Sequence, residues 1–155
     1  MKFSTREDVN APADVVFAEA TDFDGFERMI RRYGSKVTRM DDQNSKGAGM
    51  MWDVGFKFRG RNRHARATVT EFTTPDSMGV STEVGGMDSL LSVEVIALSA
   101  TKSRLQVSLE LKPKTLSARL IVQSLKLAKT KMNTRFKARV SSFAANIEDS
   151  FRQAA

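Results

Sequence analysis

The sequence has no cysteine, only three prolines and a single histidine among its 155 residues. The lack of cysteine excludes disulfides, thiol catalysis and cysteine-ligated metals, and it is consistent with the cytoplasmic location that we expect. A zinc site built on histidine needs two or three imidazoles, which His64 alone cannot supply. We therefore expect neither a metal ion nor a cofactor.

Long apolar runs are lacking too. No stretch of about 18 apolar residues exists, which excludes a transmembrane helix, and Met1 to Asp8 lacks the apolar core of a signal peptide. The sequence also has no glycine-rich phosphate loop and no serine-elbow motif. With 41% apolar and 28% charged residues, the composition is that of a globular protein, and we expect one domain over residues 1–155.

The strongest pattern is in the last quarter of the chain, Thr115 to Arg152, which contains neither proline nor glycine. One apolar stripe recurs at helical spacing: Ile121, Leu125, Ala128, Met132, Phe136, Val140, Phe143, Ile147 and Phe151. An unbroken helix would be roughly 57 Å long, longer than a globule of this size, roughly 40 Å across. Leu116, Leu120 and Leu127 also lie nearly opposite the stripe, so we expect a break between Lys126 and Lys131.

Two short helices are predicted near the N-terminus, after a strand over Lys2 to Asn10 whose inner face carries Glu7. The first helix begins at Pro12, because a proline in the first turn loses no intrahelical hydrogen bond. The second begins with a capping box formed by Asp24 and Glu27, and it ends at Gly34.

From Ser35 the period changes to two, which predicts six further strands joined by short turns. We expect a two-residue hairpin at Gly60-Arg61 and a bulge near Thr70 or Glu71 that returns Phe72 to the inner face. The predicted fold is α+β: a curved antiparallel sheet of about seven strands gripping a long C-terminal helix, with two short helices after the first strand.

This arrangement resembles the START-like, helix-grip superfamily (SRPBCC), which includes polyketide cyclases and dehydrases, lipid-transfer domains and birch-pollen-allergen-like proteins. The residues that carry the resemblance are Val9-Asn10-Ala11-Pro12-Ala13 with Val16-Phe17, Thr21-Asp22-Phe23-Asp24-Gly25-Phe26, Gly49 with Trp52 and Phe56, and Lys112-Pro113-Lys114 before Leu116 and Leu120. It implies a deep cavity between sheet and long helix that holds an apolar or amphipathic small molecule. Glu7 departs from the family, in which this strand position is usually apolar.

The predicted ligand-binding residues lie on the inner faces of the strands and on the long helix. Trp52 is the leading candidate, although ordinary core packing is the common fate of such an apolar stripe. The full set is Trp52, Val54, Phe56, Phe58, Ala67, Val80, Thr82, Leu91, Val93, Met132, Phe136 and Val140.

Polar candidates are few. Glu7 is the catalytic candidate, because a carboxylate in an apolar cavity can act as general acid or base; Glu71 is a second carboxylate of interest. Glu7, Thr82 and Lys129 are the polar groups that we expect to orient a ligand. His64 is expected on the outer face of its strand, away from any substrate.

The net charge of +7 raises the question of an anionic partner. Two basic clusters carry it: Lys57, Arg59, Arg61, Arg63 and Arg66 in a hairpin, and Lys126, Lys129, Lys131, Arg135, Lys137 and Arg139 in the helical region. Aromatic residues for base stacking are not interleaved with them, which argues against nucleic acid. A weak contact with anionic membrane and an ordinary solvated basic surface are the two interpretations that we favour over nucleic acid.

The sequence thus favours a carrier or sensor of a hydrophobic or amphipathic molecule over an enzyme. Two alternatives are an enzyme of the cyclase or dehydratase type that uses a cavity carboxylate, and a module that docks on anionic membrane or RNA through its basic surface.

Overall fold

Seven strands form one antiparallel sheet in the order β1-β7-β6-β5-β4-β3-β2, and four helices accompany it. The computed structural model describes all 155 residues. The strands are β1 (Lys2–Val9), β2 (Lys36–Arg39), β3 (Met51–Phe58), β4 (Arg61–Thr73), β5 (Ser77–Val84), β6 (Met87–Ala97) and β7 (Ser103–Pro113). The helices are α1 (Ala13–Ala20), α2 (Phe23–Arg32), α3 (Leu116–Lys126) and α4 (Lys129–Ala154). The predicted helix-grip α+β fold is confirmed.

The bulge predicted in β4 is confirmed, since the pairing with β5 shifts register between Val69 and Glu71. One extra residue there reverses the alternation. Phe72 consequently returns to the inner face, where its ring centroid lies 5.4 Å from that of Phe17 on α1.

The β3–β4 hairpin differs from the prediction by one residue. Phe58 pairs with Arg61, so the turn residues are Arg59 and Gly60 rather than Gly60 and Arg61. Their φ angles are 52° and 74°, and a two-residue turn with two positive φ angles matches the right-handed twist of the strands.

The cap of α2 was also predicted two residues late. Asp22, not Asp24, is the N-cap, and its Oδ1 accepts a hydrogen bond from the Gly25 N–H at 3.1 Å. A β-carbon at position 25 would overlap the Asp22 carboxylate as it is placed here, so a larger residue would require that carboxylate to rotate. Gly34, with φ of +91°, ends the helix as predicted.

The predicted break in the C-terminal helical region is confirmed between α3 and α4. Helix α4 packs along β1, where Phe136 and Phe3 lie 6.0 Å apart by ring centroid. Val140, Ala144 and Ile147 of the same helix are buried in the core. The cavity lies where α4, α2 and the concave face of the sheet meet.

Candidate functional site

A cavity of about 440 Å³ lies between the sheet and helices α2 and α4. Of the 20 residues in its wall, 18 are hydrophobic. Its size falls in the range of about 300–1,000 Å³ that is typical of small-molecule sites. An interior of this kind favours apolar ligand surface, because few wall groups can replace the hydrogen bonds that a polar ligand makes with water.

Most of the predicted ligand-binding residues lie in this wall. They are Trp52, Val54, Ala67, Val80, Leu91 and Val93 on the strands, with Phe136 and Val140 on α4. Their contact with a ligand stays a prediction.

Four residues of the predicted set lie outside the wall: Phe56, Phe58, Thr82 and Met132. Phe58 is 52% exposed, because it is the last strand residue before the β3–β4 turn. Phe56 and Thr82 are half-buried. They lie on the same end of the sheet as Phe58, past the part of each strand that forms the wall. Strand alternation identifies which face a residue occupies, but it does not show how far along the strand the cavity reaches.

Sequence reasoning missed the contribution of α2, which forms one side of the cavity through Phe23, Phe26, Glu27, Met29 and Ile30. The sequence does carry a signal, since Phe26, Met29 and Ile30 recur at the spacing of one helix face. The remaining wall residues are Ala20, Val37, Met78, Leu105, Val107, Arg139 and Phe143.

Trp52 is held in place on several sides. Its indole N–H donates to Glu27 Oε1 at 2.6 Å, and the Phe23 ring lies 5.3 Å away by centroid at an angle of 53°. The Arg39 guanidinium is 5.5 Å from the centroid of the indole ring, a cation–π distance. Trp52 therefore presents a fixed, flat apolar surface to the cavity.

Glu27 and Arg139 are the two wall residues that are not hydrophobic. Besides the indole, the Glu27 carboxylate contacts Arg31 on the next turn, with Nη1 3.5 Å from Oε2. Arg139 makes no ion pair and lies exposed on α4. The cavity thus offers one carboxylate and one free guanidinium to a bound molecule.

The polar groups predicted for this role lie elsewhere. Glu7 is half-buried on β1 but outside the wall, and Lys129 is exposed at the start of α4. Glu71 is exposed and accepts a hydrogen bond from Ser77 Oγ at 2.8 Å. His64 lies exposed on β4, as predicted, with its Nδ1 3.1 Å from Asp53 Oδ2.

An ion pair between Arg39 and Asp41 stabilises the backbone at the start of β3, next to Trp52. Arg39 Nη2 donates to Asp41 Oδ1 at 2.7 Å, and Asp41 Oδ2 accepts from the Met51 N–H at 2.7 Å. The Arg39 guanidinium, helped by backbone N–H groups of Met51 and Gln43, holds the pKa of Asp41 well below its usual range. Asp41 therefore stays ionised and fixes the start of β3, one residue before Trp52.

No group of three or more His, Asp or Glu side chains is arranged to hold a metal ion. None of the four helices combines the length and the apolar character needed to cross a bilayer.

Comparison with known proteins places nearly the whole chain in one family. The sequence model described as polyketide cyclase / dehydrase and lipid transport matches residues 1–148. No curated protein matches the sequence.

Many solved structures share the fold. The Zhui aromatase/cyclase from Streptomyces sp. R1128 is 13% identical with a TM-score of 0.70, over 100% of this chain and 98% of that one. Norcoclaurine synthase from Thalictrum flavum is 15% identical with a TM-score of 0.65, over 97% and 95%. A START superfamily protein from Mycobacterium smegmatis is 13% identical with a TM-score of 0.55, over 86% and 95%. The START-like, helix-grip resemblance is confirmed.

Proposed function

The chain belongs to the polyketide cyclase/dehydrase and lipid transport family, and from this premise we propose that it binds a hydrophobic or amphipathic small molecule in the cavity, as a carrier or sensor. The observation that carries the proposal is the wall itself, about 440 Å³ in volume and hydrophobic in 18 of 20 residues. Burial of apolar ligand surface there would contribute about 25 cal/mol per Å².

The two polar wall residues would orient the bound molecule. Glu27 is already engaged by the indole of Trp52 and by Arg31, whereas Arg139 has no ion-pair partner. A ligand with an apolar body and an acidic head group would place its tail against the strands and its head at Arg139. The unpaired Arg139 guanidinium therefore supports an amphipathic acid as the ligand over a neutral hydrocarbon or an amine.

The test is a fluorescence titration, because Trp52 is the only tryptophan in the chain and lies in the wall. Dodecanoic acid, dodecanol and dodecylamine serve as probes of equal chain length. We expect saturable changes in the Trp52 emission, with the acid binding most tightly. Native mass spectrometry of the purified protein, before and after organic extraction, gives an independent measurement of any molecule that accompanies it.

Two variants separate cavity binding from surface adsorption. Ala67→Phe places a ring in the wall beside Trp52, its cross-strand partner, and should abolish the saturable change. Ala18→Phe makes the same replacement at an exposed position of α1 outside the wall and should bind as the wild type does. Equal binding by both variants, or no saturable binding by the wild type, would overturn the proposal.

A second candidate function is supported by one observation, the Glu27 carboxylate in the cavity wall. A carboxylate next to a bound carbonyl compound can remove a proton from the carbon beside that carbonyl. An intramolecular aldol reaction would then form a carbon–carbon bond, and the loss of one water would complete a cyclisation. This is the enzyme alternative, with Glu27 in the place predicted for Glu7.

The enzyme alternative is tested with a synthetic poly-β-keto thioester and mass spectrometry for loss of water. Glu27→Gln keeps an oxygen that can accept from the Trp52 indole but lacks the basic carboxylate. Catalysis by Glu27 requires that this variant fall to the uncatalysed rate while Glu83→Gln, at an exposed position on β5, retains the wild-type rate. Equal rates with and without protein would exclude the enzyme for this substrate class.

We also propose a transient contact with anionic membrane, the partner predicted from the charge of +7. A molecule that dissolves in lipid can pass directly from a lipid surface into the cavity, and a basic protein is drawn to anionic head groups. Nucleic acid is not part of the proposal, since neither basic cluster presents a row of aromatic residues for stacking.

A further inference from the structure

Helix α3 exposes a stripe of leucines to solvent. Leu116 is 74% exposed, Leu120 61% and Leu127, the residue that caps the helix, 92%. At about 100° per residue these three side chains fall within about 40° of one another around the helix axis. We name them the leucine stripe. Three large aliphatic side chains so exposed on one helix face are unusual, because a surface helix normally buries its apolar residues.

The opposite face of α3 already has a partner. Ala118 and Val122 are buried at 1% and 6% exposure, and they lie about 200° around the helix from the stripe. The helix start is fixed as well, since Thr115 Oγ1 accepts from the Ala118 N–H at 3.1 Å and the Lys114 N–H donates to Gly86 O at 2.8 Å. The stripe therefore points away from the body of the protein on an anchored helix.

The segment of the chain that carries the stripe contains basic residues and no acidic ones. No acidic residue occurs between Leu111 and Ile147, whereas nine basic residues do. Lys112 and Lys114 pair with Glu110 and Asp88 at 3.3 and 3.7 Å. The other seven make no ion pair: Arg119, Lys126, Lys129, Lys131, Arg135, Lys137 and Arg139.

The second basic cluster reaches the same end of the sheet. The β3–β4 turn at Arg59-Gly60 and the β5–β6 turn at Gly85-Gly86 both lie at the end where β7 finishes and α3 begins. The hairpin tip also exposes an apolar ring, Phe58, with the Arg59 and Arg63 guanidinium groups 5.3 and 5.5 Å from its centroid. Exposed apolar side chains and unpaired basic ones are thus combined at one end.

We infer that the leucine stripe of α3, with Arg119 and Lys126 beside it, is the surface that docks on an anionic lipid bilayer. An interfacial helix lies in the membrane plane with its apolar side chains at the boundary of head groups and acyl chains, and its basic residues contact anionic lipid. The inference gives the proposed membrane contact a surface, and it does not require that the cavity bind a ligand.

Two other occupants of the stripe fit the structure less well. A second copy of the chain, docked through the same stripe, would bring Arg119 and Lys126 of both copies together, and such like-charge contact costs free energy. An acidic protein would satisfy the charge, but protein partners that take up a helix usually do so in an apolar groove. The stripe is convex and narrow, which suits a deformable lipid surface.

The experiment is flotation of the full chain with vesicles. One set contains phosphatidylcholine and phosphatidylserine in equal parts, and the other contains phosphatidylcholine alone. We expect binding to the anionic set that falls as salt is raised, and little binding to the neutral set. The double variant Leu120→Ser/Leu127→Ser should lower the partition coefficient about tenfold or more, since binding scales with the apolar area that inserts.

The matched control for the leucines is Ile96→Ser/Leu98→Ser. These two residues are 41% and 42% exposed near the β6–β7 turn, at the opposite end of the sheet, and their replacement should leave vesicle binding unchanged. For charge, Arg119→Glu/Lys126→Glu should weaken binding at least about tenfold, because each basic residue near an anionic leaflet contributes roughly fivefold. Lys46→Glu/Lys102→Glu, with the same net charge at the far end, is its control.

Each outcome has one interpretation. Vesicle binding that the leucine variant loses and its control keeps supports the inference, provided that both unfold at similar denaturant concentrations. Equal binding by the two pairs would show that another surface docks. No binding by the wild type would exclude membrane docking altogether. A wild-type dimer that the leucine variant converts to monomer would identify a second copy as the occupant. Cavity binding, measured without vesicles, is independent of all four outcomes.

Discussion

Helices α3 and α4 come from one stretch of sequence without proline or glycine, yet they place their large apolar residues in opposite ways. In α4 the stripe faces inward, with Val140 and Ile147 only 8% and 3% exposed. In α3 the largest apolar side chains face outward, and the helix is attached to the sheet through Ala118 and Val122. The two helices are separated by a break of two residues, Leu127 and Ala128.

The difference teaches that periodicity reports where apolar side chains lie on a helix but not what covers them. Helix α4 has the concave sheet as its partner and becomes core and cavity wall. Helix α3 is apolar on two faces, and only one can contact β7. An uncovered second face on an anchored helix is therefore a property of the whole fold, which the helix sequence alone does not determine.

Truncation of one aliphatic side chain on each helix tests this comparison of α3 with α4. Among our predictions, it has the largest expected effect on the free energy of unfolding. Ile147→Ala should lower the free energy of unfolding by about 2–5 kcal/mol, because the site is buried and a cavity remains. Leu120→Ala should change it by less than about 0.5 kcal/mol, because the side chain is exposed and alanine favours the helix. Urea unfolding of both variants gives the two values.

A large loss of stability for Leu120→Ala would break the comparison, since the stripe would then be packed against part of the chain in solution. The docking inference would fall with it.

The N-termini of α3 and α4 also differ, and the effect on stability that we expect from this difference is smaller. Thr115 caps α3 through its side chain, whereas Ala128, the N-cap residue of α4, makes no side-chain hydrogen bond to its helix. Thr115→Ala should cost about 1 kcal/mol of stability, and Thr115→Ser, which keeps the hydroxyl, should cost less. Because capping orders α3, the alanine variant should also bind anionic vesicles more weakly; unchanged stability in urea would show that β7 alone orders the helix.

Much of the fold was predictable because period and turn chemistry are local. The two-residue alternation predicted the strands, and the out-of-phase Phe72 predicted the β4 bulge. The break before α4 was predicted because one unbroken helix would be longer than the protein is wide. The errors were in details that depend on neighbouring atoms. Asp22 and Asp24 are both plausible caps, and only the position of the Gly25 N–H decides between them.

The site was predictable in its strands and not in its polar groups. Trp52 and Ala67 lie in the wall because alternation fixes their face. Glu27 was assigned a capping role from its spacing to Asp24, whereas it faces the Trp52 indole, 25 positions along the chain. A contact between residues so far apart in sequence leaves no periodic signal. Glu7 had the expected face but lies on β1 beyond the wall.

Acid should affect the two regions differently, and this is the smallest effect we expect. The region from Leu111 to Ile147 has no carboxylate. The start of β3 next to Trp52, in contrast, is held by the Asp41 carboxylate. The pKa of Asp41 is lowered by the Arg39 guanidinium from an ordinary value of 3.8. A carboxylate with a lowered folded-state pKa contributes stability that is fully present above its ordinary pKa and is lost as pH falls toward the folded value.

Urea unfolding between neutral pH and about pH 3 should therefore show a decline that begins near the ordinary pKa of aspartate and continues below it. Asp41→Asn should be less stable at neutral pH and should decline less over this window, because the linked proton uptake is gone. The exposed pair of Asp8 and Arg104 also has a lowered carboxylate pKa. Asp8→Asn is therefore the matched control for position, because it removes a similar ion-paired carboxylate from β1 instead of the one next to β3.

Asp41→Asn should weaken probe binding at Trp52 and leave vesicle docking through α3 unchanged at neutral pH. A parallel loss of both would mean that the two regions do not act separately.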